Sequence, residues 1–130
     1  MLVQGEELRP ALEHALGTSI PSPARFIGKV QNGEVVSIAG LALWNGHDCE
    51  AYLWSAGTLH RDFIRAFGRY VWQDLGCDRV SCRVAADNPW ADILPRLGFA
   101  EEGRMRRAYD GQIDMLIFGL LREDWKHGKE

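Results

Sequence analysis

Hydroxyl and basic side chains cluster at the point where the sequence predicts the start of a long helix. Thr58 is followed by His60 and Arg61 within what would be the first helical turn. A helix N-terminus attracts anions because its amide groups have no intrahelical acceptor, and nearby hydroxyl and cationic groups strengthen that attraction. The cluster therefore has two equally weighted interpretations. One is a phosphate contact, and the other is a plain helix cap at Thr58.

Other potentially reactive side chains stand apart from one another along the chain. The three cysteines, an odd number, have no C-x-x-C spacing, so the sequence predicts reduced thiols and neither a disulfide framework nor a zinc site. They are Cys49, Cys77 and Cys82. His47 falls in a predicted turn, where a solvated histidine is the ordinary case. We expect no metal site.

The composition limits the classes of protein to consider. The chain has 130 residues, 46% of them hydrophobic, which predicts a single domain over residues 1–130 with a substantial core. A net charge of -3 argues against nucleic-acid and membrane-surface partners. No apolar run reaches the length of a membrane span, and the first residues are acidic where a signal peptide would be basic, so we expect a cytoplasmic protein.

The first half of the chain predicts a helix and a three-stranded meander. Apolar residues repeat at helical spacing over Glu6–Leu16. Two strands, Arg25–Gln31 and Glu34–Trp44, flank Asn32-Gly33, a strong hairpin signal. A third strand is expected over Glu50–Ala56.

The second half predicts a crossover connection followed by a hairpin. The expected elements are a long helix Thr58–Leu75, a strand Arg79–Ala86, a short helix from Pro89 to Leu97, and strands Phe99–Tyr109 and Gln112–Leu120 around Asp110-Gly111, with a charged tail from Arg122. Asn88 before Pro89 is typical of a cap at the start of the short helix. A strand that follows a helix in this way pairs in parallel with an earlier strand. The order α-βββ-α-β-α-ββ predicts a mixed α/β (α+β) fold with a largely antiparallel sheet and one parallel pair.

This order and several short strings resemble the GNAT superfamily of acyl-CoA-dependent N-acetyltransferases. The resemblance runs from about Val35 to Trp125 and is carried by L-G-F after the short helix, E-G-R-x-R in the next strand, the D-G turn and the terminal G-L-L-R-E-x-W. These strings are most similar to the branch that acetylates protein amino termini and ribosomal proteins. The string L-H-R-D-F-I-R-A-F-G-R-Y is also similar to phage-encoded members.

The resemblance implies transfer of an acetyl group from acetyl-CoA to an amine by direct attack on the thioester. In the family, the strand before the long helix splays from its neighbour and binds the cofactor through backbone N–H groups; here that strand is 50–56. The implied cofactor-binding residues are Trp54, Ser55, Ala56, Gly57, Thr58, His60, Arg61 and Asn88. The implied catalytic residues are Glu50, as a carboxylate that removes the amine proton through water, and Tyr109, as an acid; Tyr52 and Cys82 are weaker candidates for the acid.

The sequence departs from the family pattern in three places. The Gly-rich pyrophosphate loop retains only Gly57, and Leu94 stands where many members carry the acidic Tyr. The region before the first hairpin is short, so the acceptor wall is abridged. Either a second subunit completes it as a homodimer, or the acceptor is a protein surface instead of a small amine, or catalysis is lost. The alternative function is thus an inactive GNAT-fold binding or phage virion-associated protein. An exposed tryptophan would mark an interface, and Trp72 is the one expected to be exposed.

Overall fold

The computed structural model describes residues 1–127 and contains one seven-stranded sheet with three α-helices. The elements are β1 (Leu2–Gln4), α1 (Arg9–Leu16), β2 (Ala24–Gln31), β3 (Glu34–Ala42), β4 (Asp48–Ser55), α2 (Arg61–Arg69), β5 (Arg79–Ala85), α3 (Trp90–Leu97), β6 (Ala100–Met105) and β7 (Met115–Leu121). Apart from β1, this is the predicted order, and the fold-class prediction is confirmed. Residues 128–130 of the predicted charged tail lie outside the described residues.

The strands lie in the order β1-β2-β3-β4-β5-β7-β6. All neighbouring pairs are antiparallel except β4 and β5, which are parallel. The predicted hairpin between β2 and β3 turns at Asn32 and Gly33, whose φ angles of 54° and 78° lie in the left-handed region that Asn and Gly tolerate best. The parallel pair is at the centre of the sheet, where α2 provides the crossover.

Two apolar clusters cover the two faces of the sheet. On one face, α2 and α3 pack on buried side chains of β3, β4, β5 and β7. On the other face, Leu12 of α1 and Leu8 of the turn before it pack on β2 and β3, with Tyr52 and Trp54 of β4 at the border of this cluster. Side chains alternate along a strand, so successive residues of β4 point to opposite clusters. No helix of residues 1–127 is long and apolar enough to cross a membrane.

The long helix differs from its prediction at both ends. It begins at Arg61, with His60 at the N-cap, so the predicted start and cap at Thr58 are wrong. Leu59 extends the apolar pattern because it packs on the core from the preceding loop. After Arg69 the chain forms a π-helical turn over Tyr70–Asp74, with a bond from Leu75 N–H to the Tyr70 carbonyl.

The π turn explains a second error, the expected exposure of Trp72. A π turn holds more residues than an α turn, which shifts the helical phase and buries three consecutive residues, Tyr70, Val71 and Trp72. Trp72 is 6% exposed, and the exposed tryptophan is Trp44 at 58%. Trp44 follows β3, which ends two residues earlier than predicted.

Two further boundaries were missed by the sequence interpretation. β1 contributes only three residues to the sheet edge, too few to show an alternating pattern, and pairs with β2 from Leu2↔Lys29 to Gln4↔Ile27. The β6–β7 connection is not a tight Asp110-Gly111 turn but spans residues 106–114 between the pair Met105↔Met115. Asp110 instead organises this loop by accepting the N–H groups of Gln112 (2.9 Å) and Ile113 (2.8 Å).

Candidate active site

A slot opens in the sheet where β4 and β5 part. The two strands pair only from Asp48↔Arg79 to Glu50↔Ser81, although β4 continues to Ser55 and β5 to Ala85. From residue 51 onward the strands diverge, as expected for the splayed strand 50–56. Both strands run toward the same edge of the sheet, so the slot opens at the edge where α2 and α3 begin.

Backbone groups of β4 line this slot. The bond from Ala56 N–H to the Val36 carbonyl (2.8 Å) shows which residues of β4 face β3. Because hydrogen-bonding direction alternates along a strand, Leu53 and Ser55 direct their N–H and C=O groups the other way, toward β5. The β5 ladder ends at Glu50, so no strand faces these two N–H groups. Trp54 has the opposite phase: its backbone pairs with β3 and its side chain packs against the α1 cluster.

Polar groups at the end of β4 and in the loop after it are hydrogen-bonded to β3. The Ser55 hydroxyl lies 2.9 Å from the Ser37 hydroxyl and donates to the Val36 carbonyl at 3.4 Å. Together with the Ala56 N–H bond, these contacts tie the loop to β3. Gly57 then adopts a φ of +82°, which turns the chain toward α2, and an added Cβ would meet open space.

The start of α2 presents unpaired backbone amides. The first intrahelical bond runs from Ile64 N–H to the His60 carbonyl (3.1 Å), so the earlier amides of this turn have no carbonyl of the helix to bind. Arg61 is exposed, and Nδ1 of His60 is buried with no hydrogen-bond partner in the described chain. Asp62 adds a negative charge to this turn, but Lys29 Nζ donates to its carboxylate at 2.6 Å, which lowers the pKa of Asp62.

Asn88 lies beside the slot at the start of α3. Its Oδ1 accepts the N–H of Trp90 (2.9 Å), its carbonyl accepts the N–H of Ala91 (2.9 Å), and its own N–H donates to the Ala85 carbonyl at the end of β5. Pro89 occupies the N-cap position, and the Asn88 side chain just before it accepts the N–H of the first helical residue, the capping contact that the sequence predicts. The side-chain NH2 group of Asn88 remains without a partner in the described structure.

A carboxylate, an arginine and a tyrosine meet where the slot begins. Arg83 Nε–H donates to Oε2 of Glu50 at 3.0 Å; the Glu50 side chain is only 14% exposed, and that of Arg83 is 46% exposed. Although Glu50 lies near the start of a strand, its side chain is largely buried. Tyr52 lies next to this pair on the same face of β4. Burial raises the pKa of the Tyr52 hydroxyl, with a further rise from Glu50 that Arg83 opposes.

Tyr109 lies at the edge of the sheet where the slot opens, but in an exposed loop and not in a strand. It lies in the 106–114 loop, which is held to the end of β5 by the bond from Ala86 N–H to the Asp114 carbonyl (2.9 Å). Its side chain is 53% exposed. None of the hydrogen bonds found among residues 1–127 joins Tyr109 to Glu50, so the structure brings Tyr52, and not Tyr109, beside the carboxylate.

On the helix side, the slot is bordered by apolar side chains. A small cavity between α2 and α3 is lined by Leu53, Leu59, Phe63, Ile64, Phe67, Trp90, Leu97, Phe99 and Trp125. Leu94, which stands where the resemblance implied an acidic Tyr, is fully buried in the core and has no ionisable group. Cys82 is 1% exposed, and burial raises the pKa of its thiol to about 12.

An ion-pair network secures the closed end of the slot. Arg79 donates to Glu102 through both terminal nitrogens (2.9 and 2.6 Å) across the intervening strand β7, and Ser81 donates to Asp48 at 3.0 Å. Gly119 of β7 makes this crossing possible, because a Cβ there would overlap the Glu102 carboxylate. The network holds β4, β5 and β6 together at the end where the parallel pair is closed.

Arg83 is the site residue that sequence reasoning missed. An arginine in a strand carries no motif, and only the parallel register brings it next to Glu50. Tyr52 was considered and given low weight, because a strand tyrosine is usually a core residue. The alternation of β4 was the available signal, since it places Glu50 and Tyr52 on one face. The described residues contain no group of three or more His, Cys, Asp or Glu side chains placed to hold a metal ion.

Comparison with known proteins finds similar structures but no similar sequences. No protein-family model matches the chain, and no curated protein matches it. A mutant of spermidine N-acetyltransferase SpeG from Vibrio cholerae superposes with a TM-score of 0.75 at 16% identity, over 95% of this chain and 94% of that one. The enzyme from Vibrio cholerae in complex with CoA and spermine gives 0.68 at 20% identity, over 92% and 74%.

A probable acetyltransferase gives a similar result, with a TM-score of 0.66 at 21% identity over 92% of this chain and 71% of that chain. These scores accompany identities too low to transfer a substrate or a mechanism. They show a shared fold over more than nine tenths of this chain. The chain therefore has the fold of the GNAT N-acetyltransferases.

Proposed function

We propose that this chain is an acetyl-CoA-dependent N-acetyltransferase that acetylates an amine by direct attack on the thioester. The observation that carries the proposal is the divergence of β4 from β5 after Glu50, which leaves the N–H groups of Leu53 and Ser55 facing an open slot. Such N–H groups suit the amide and carbonyl groups of a pantetheine arm. An N–H aimed at a thioester carbonyl stabilises the negative charge that develops on its oxygen during attack.

The phosphate end of acetyl-CoA would lie at the start of α2. The unpaired amides of this turn and the exposed Arg61 supply positive potential, and Lys29 neutralises Asp62, which would otherwise repel a phosphate. His60 Nδ1, buried without a partner, supports a polar contact at this point. The contacts of Ser55 and Ala56 with β3 leave Gly57 and the residues after it as the phosphate loop.

The reaction would join the two substrates at the beginning of the slot. The acceptor approaches the face that carries Glu50, releases a proton through water hydrogen-bonded to that carboxylate, and attacks the carbonyl carbon as a neutral amine. The C–N bond forms, the C–S bond breaks, and the thiolate takes a proton to leave as CoA. Tyr52 and Tyr109 are the candidate donors, and the raised pKa of Tyr52 keeps its hydroxyl protonated at neutral pH.

A second candidate function is a binding protein that keeps the fold without catalysis. The specific observation in its favour is that Ser55 and Ala56 already bond to β3, while large apolar side chains fill the space between α2 and α3. Both features reduce the number of groups available to a cofactor. This alternative predicts that acetyl-CoA does not bind.

Calorimetric titration with acetyl-CoA tests the proposal. We expect micromolar binding, weakened about tenfold by Asn88→Ala and by His60→Glu, which corresponds to about 1.4 kcal/mol for each lost contact. Asn45→Ala is the matched control for the first variant, because Asn45 also caps a turn through its side chain but lies at the opposite end of β4. His14→Glu, on the exposed side of α1, controls for the second.

The outcomes separate the two candidate functions. The transferase is supported if the site variants weaken acetyl-CoA binding and the control variants leave it unchanged. Release of CoA is then measured with spermidine and with a peptide that has a free amino terminus, and the substrate that gives release identifies the kind of amine. No binding at millimolar acetyl-CoA contradicts the proposal and favours the binding protein.

A further inference from the structure

We propose that Arg83 is a positioning residue that holds the Glu50 carboxylate at the start of the slot. The inference rests on the proposed function and adds a residue that the resemblance did not supply. Arg83 Nε–H donates to Oε2 of Glu50 at 3.0 Å from the neighbouring strand. In the described structure, Oε1 of Glu50 has no hydrogen-bond partner and is free to receive the acceptor amine or a water molecule.

The position of this pair along the strands is the main argument. Glu50 is the last residue of β4 that pairs with β5, and its partner in register is Ser81. Arg83 lies two residues further along β5, on the same face, so its side chain reaches back over the point where the strands part. The pair therefore joins the last paired residue of β4 to a residue of β5 that lies beyond the last backbone bridge.

The two side chains of the pair differ in how far they are exposed to solvent. The Glu50 side chain is 14% exposed and that of Arg83 is 46% exposed, so the arginine covers the carboxylate from the solvent side. By donating one fixed hydrogen bond to Oε2, Arg83 fixes the orientation of the carboxylate and leaves Oε1 for the incoming ammonium group.

Tyr52 extends the same arrangement. Its hydroxyl is influenced by Glu50 and Arg83 together, which places all three groups within interaction distance. In the reaction the acceptor R–NH3+ donates a hydrogen bond to Oε1 and loses one proton to water. The neutral amine then forms the C–N bond as the C–S bond breaks, its nitrogen gives up a second proton, and the departing thiolate takes up one proton to leave as CoA. Arg83 contacts neither reacting bond and acts through Glu50.

Steady-state kinetics of Arg83→Gln, Arg83→Lys and Glu50→Gln test the proposal. We expect Arg83→Gln to lower kcat at least tenfold with little change in KM for acetyl-CoA, and Arg83→Lys to recover part of the loss because it restores the charge without the Nε–H geometry. The double variant of both residues should be no slower than the slower single variant, since the two act as one unit. A loss in kcat with an unchanged KM, partly rescued by lysine, is a result that a purely structural role would not produce.

Arg79→Gln is the matched control. Arg79 lies on the same strand and face and forms a comparable ion pair with Glu102, but at the closed end of the slot. It should leave kcat and KM unchanged. In the cofactor-free protein, the Arg83 Nε–H signal in NMR spectra should be protected from exchange and should lose that protection in Glu50→Gln.

The failures of the two proposals are distinguishable. An active wild type whose kcat and KM are unaltered by Arg83→Gln overturns the role of Arg83 alone. An unprotected Nε–H signal in the wild type does the same. A wild type that neither binds acetyl-CoA nor acetylates any amine overturns the proposed function, and the role of Arg83 falls with it.

Discussion

Replacing Gly68 by alanine tests how the end of the chain holds α2 in place. Gly68 lies inside α2 and faces Trp125, which follows β7 and is 3% exposed. A Cβ at position 68 would lie 2.6 Å from Cε2 and 2.8 Å from Cζ2 of the indole, well inside van der Waals contact. Trp125 also packs against Phe67 and Trp72, with ring centroids 5.9 and 6.4 Å away, so the ring has no free direction in which to shift.

The expected magnitude follows from two opposing effects. Alanine is preferred over glycine inside a helix by about 1 kcal/mol. Displacing a tryptophan that buries about 200 Å2 forfeits about 5 kcal/mol if the ring leaves entirely and about half of that if it is partly expelled. We therefore expect Gly68→Ala to lower the free energy of unfolding by about 2 kcal/mol, and Trp125→Ala to lower it by about 3–5 kcal/mol.

Urea denaturation of the two single variants and the double variant measures the coupling between the positions. Once the indole is absent, alanine at position 68 meets no obstacle, so Gly68→Ala in the Trp125→Ala background should raise stability by about 1 kcal/mol. The sign of the Gly68→Ala effect should thus reverse between the two backgrounds. The reasoning is refuted if Gly68→Ala stabilises the wild type, or if it destabilises the Trp125→Ala variant by the same amount as the wild type.

Three further predictions concern charge, proton transfer and thiol reactivity. The hydrogen bond from Arg79 holds the pKa of Glu102 below its ordinary value. The pair therefore stabilises the fold at pH values above the pKa of Glu102 in the unfolded chain, and this stabilisation is lost as the pH falls through the pKa of Glu102 in the folded protein. Urea denaturation should show Glu102→Gln to be less stable than the wild type by up to about 1 kcal/mol at pH 7 and equally stable near pH 3; a constant difference contradicts this. In a CoA-release assay, Tyr52→Phe should reduce kcat more than Tyr109→Phe, because only Tyr52 adjoins the carboxylate, and the reverse order would assign the proton to Tyr109. All three cysteines are buried and burial raises the pKa of the Cys82 thiol to about 12, so a thiol reagent should titrate none of them in the native protein and three after denaturation; rapid native labelling contradicts their burial.

Some of the site could be predicted because its determinants are local. Asn88 before Pro89 predicted a helix cap, and its Oδ1 does accept the Trp90 N–H. The alternation of strand 50–56 placed Glu50 and Tyr52 on one face, since the side-chain period of a strand does not depend on its neighbours. The left-handed angles at Asn32 and Gly33 likewise follow from what those two residue types tolerate.

The start and the phase of the long helix depended on packing that no local pattern reveals. Leu59 continued the helical periodicity although it lies in a loop, because the core accepts an apolar side chain from either conformation. The π turn at Tyr70–Asp74 shifted the phase and buried Trp72 against Trp125, a residue distant in sequence. Propensity is a weak guide where tertiary contacts decide which conformation is kept.

By itself, then, the sequence determined the order of the elements, the hairpin at Asn32 and the cap at Asn88, because each depends on residues a few positions apart. Only the tertiary structure decided where β4 leaves β5, since that point is a property of the pairing between strands. The same register brought Arg83 to Glu50, 33 residues away in the chain. A contact of this kind has no signature in either segment alone, because it exists only once two distant strands lie side by side.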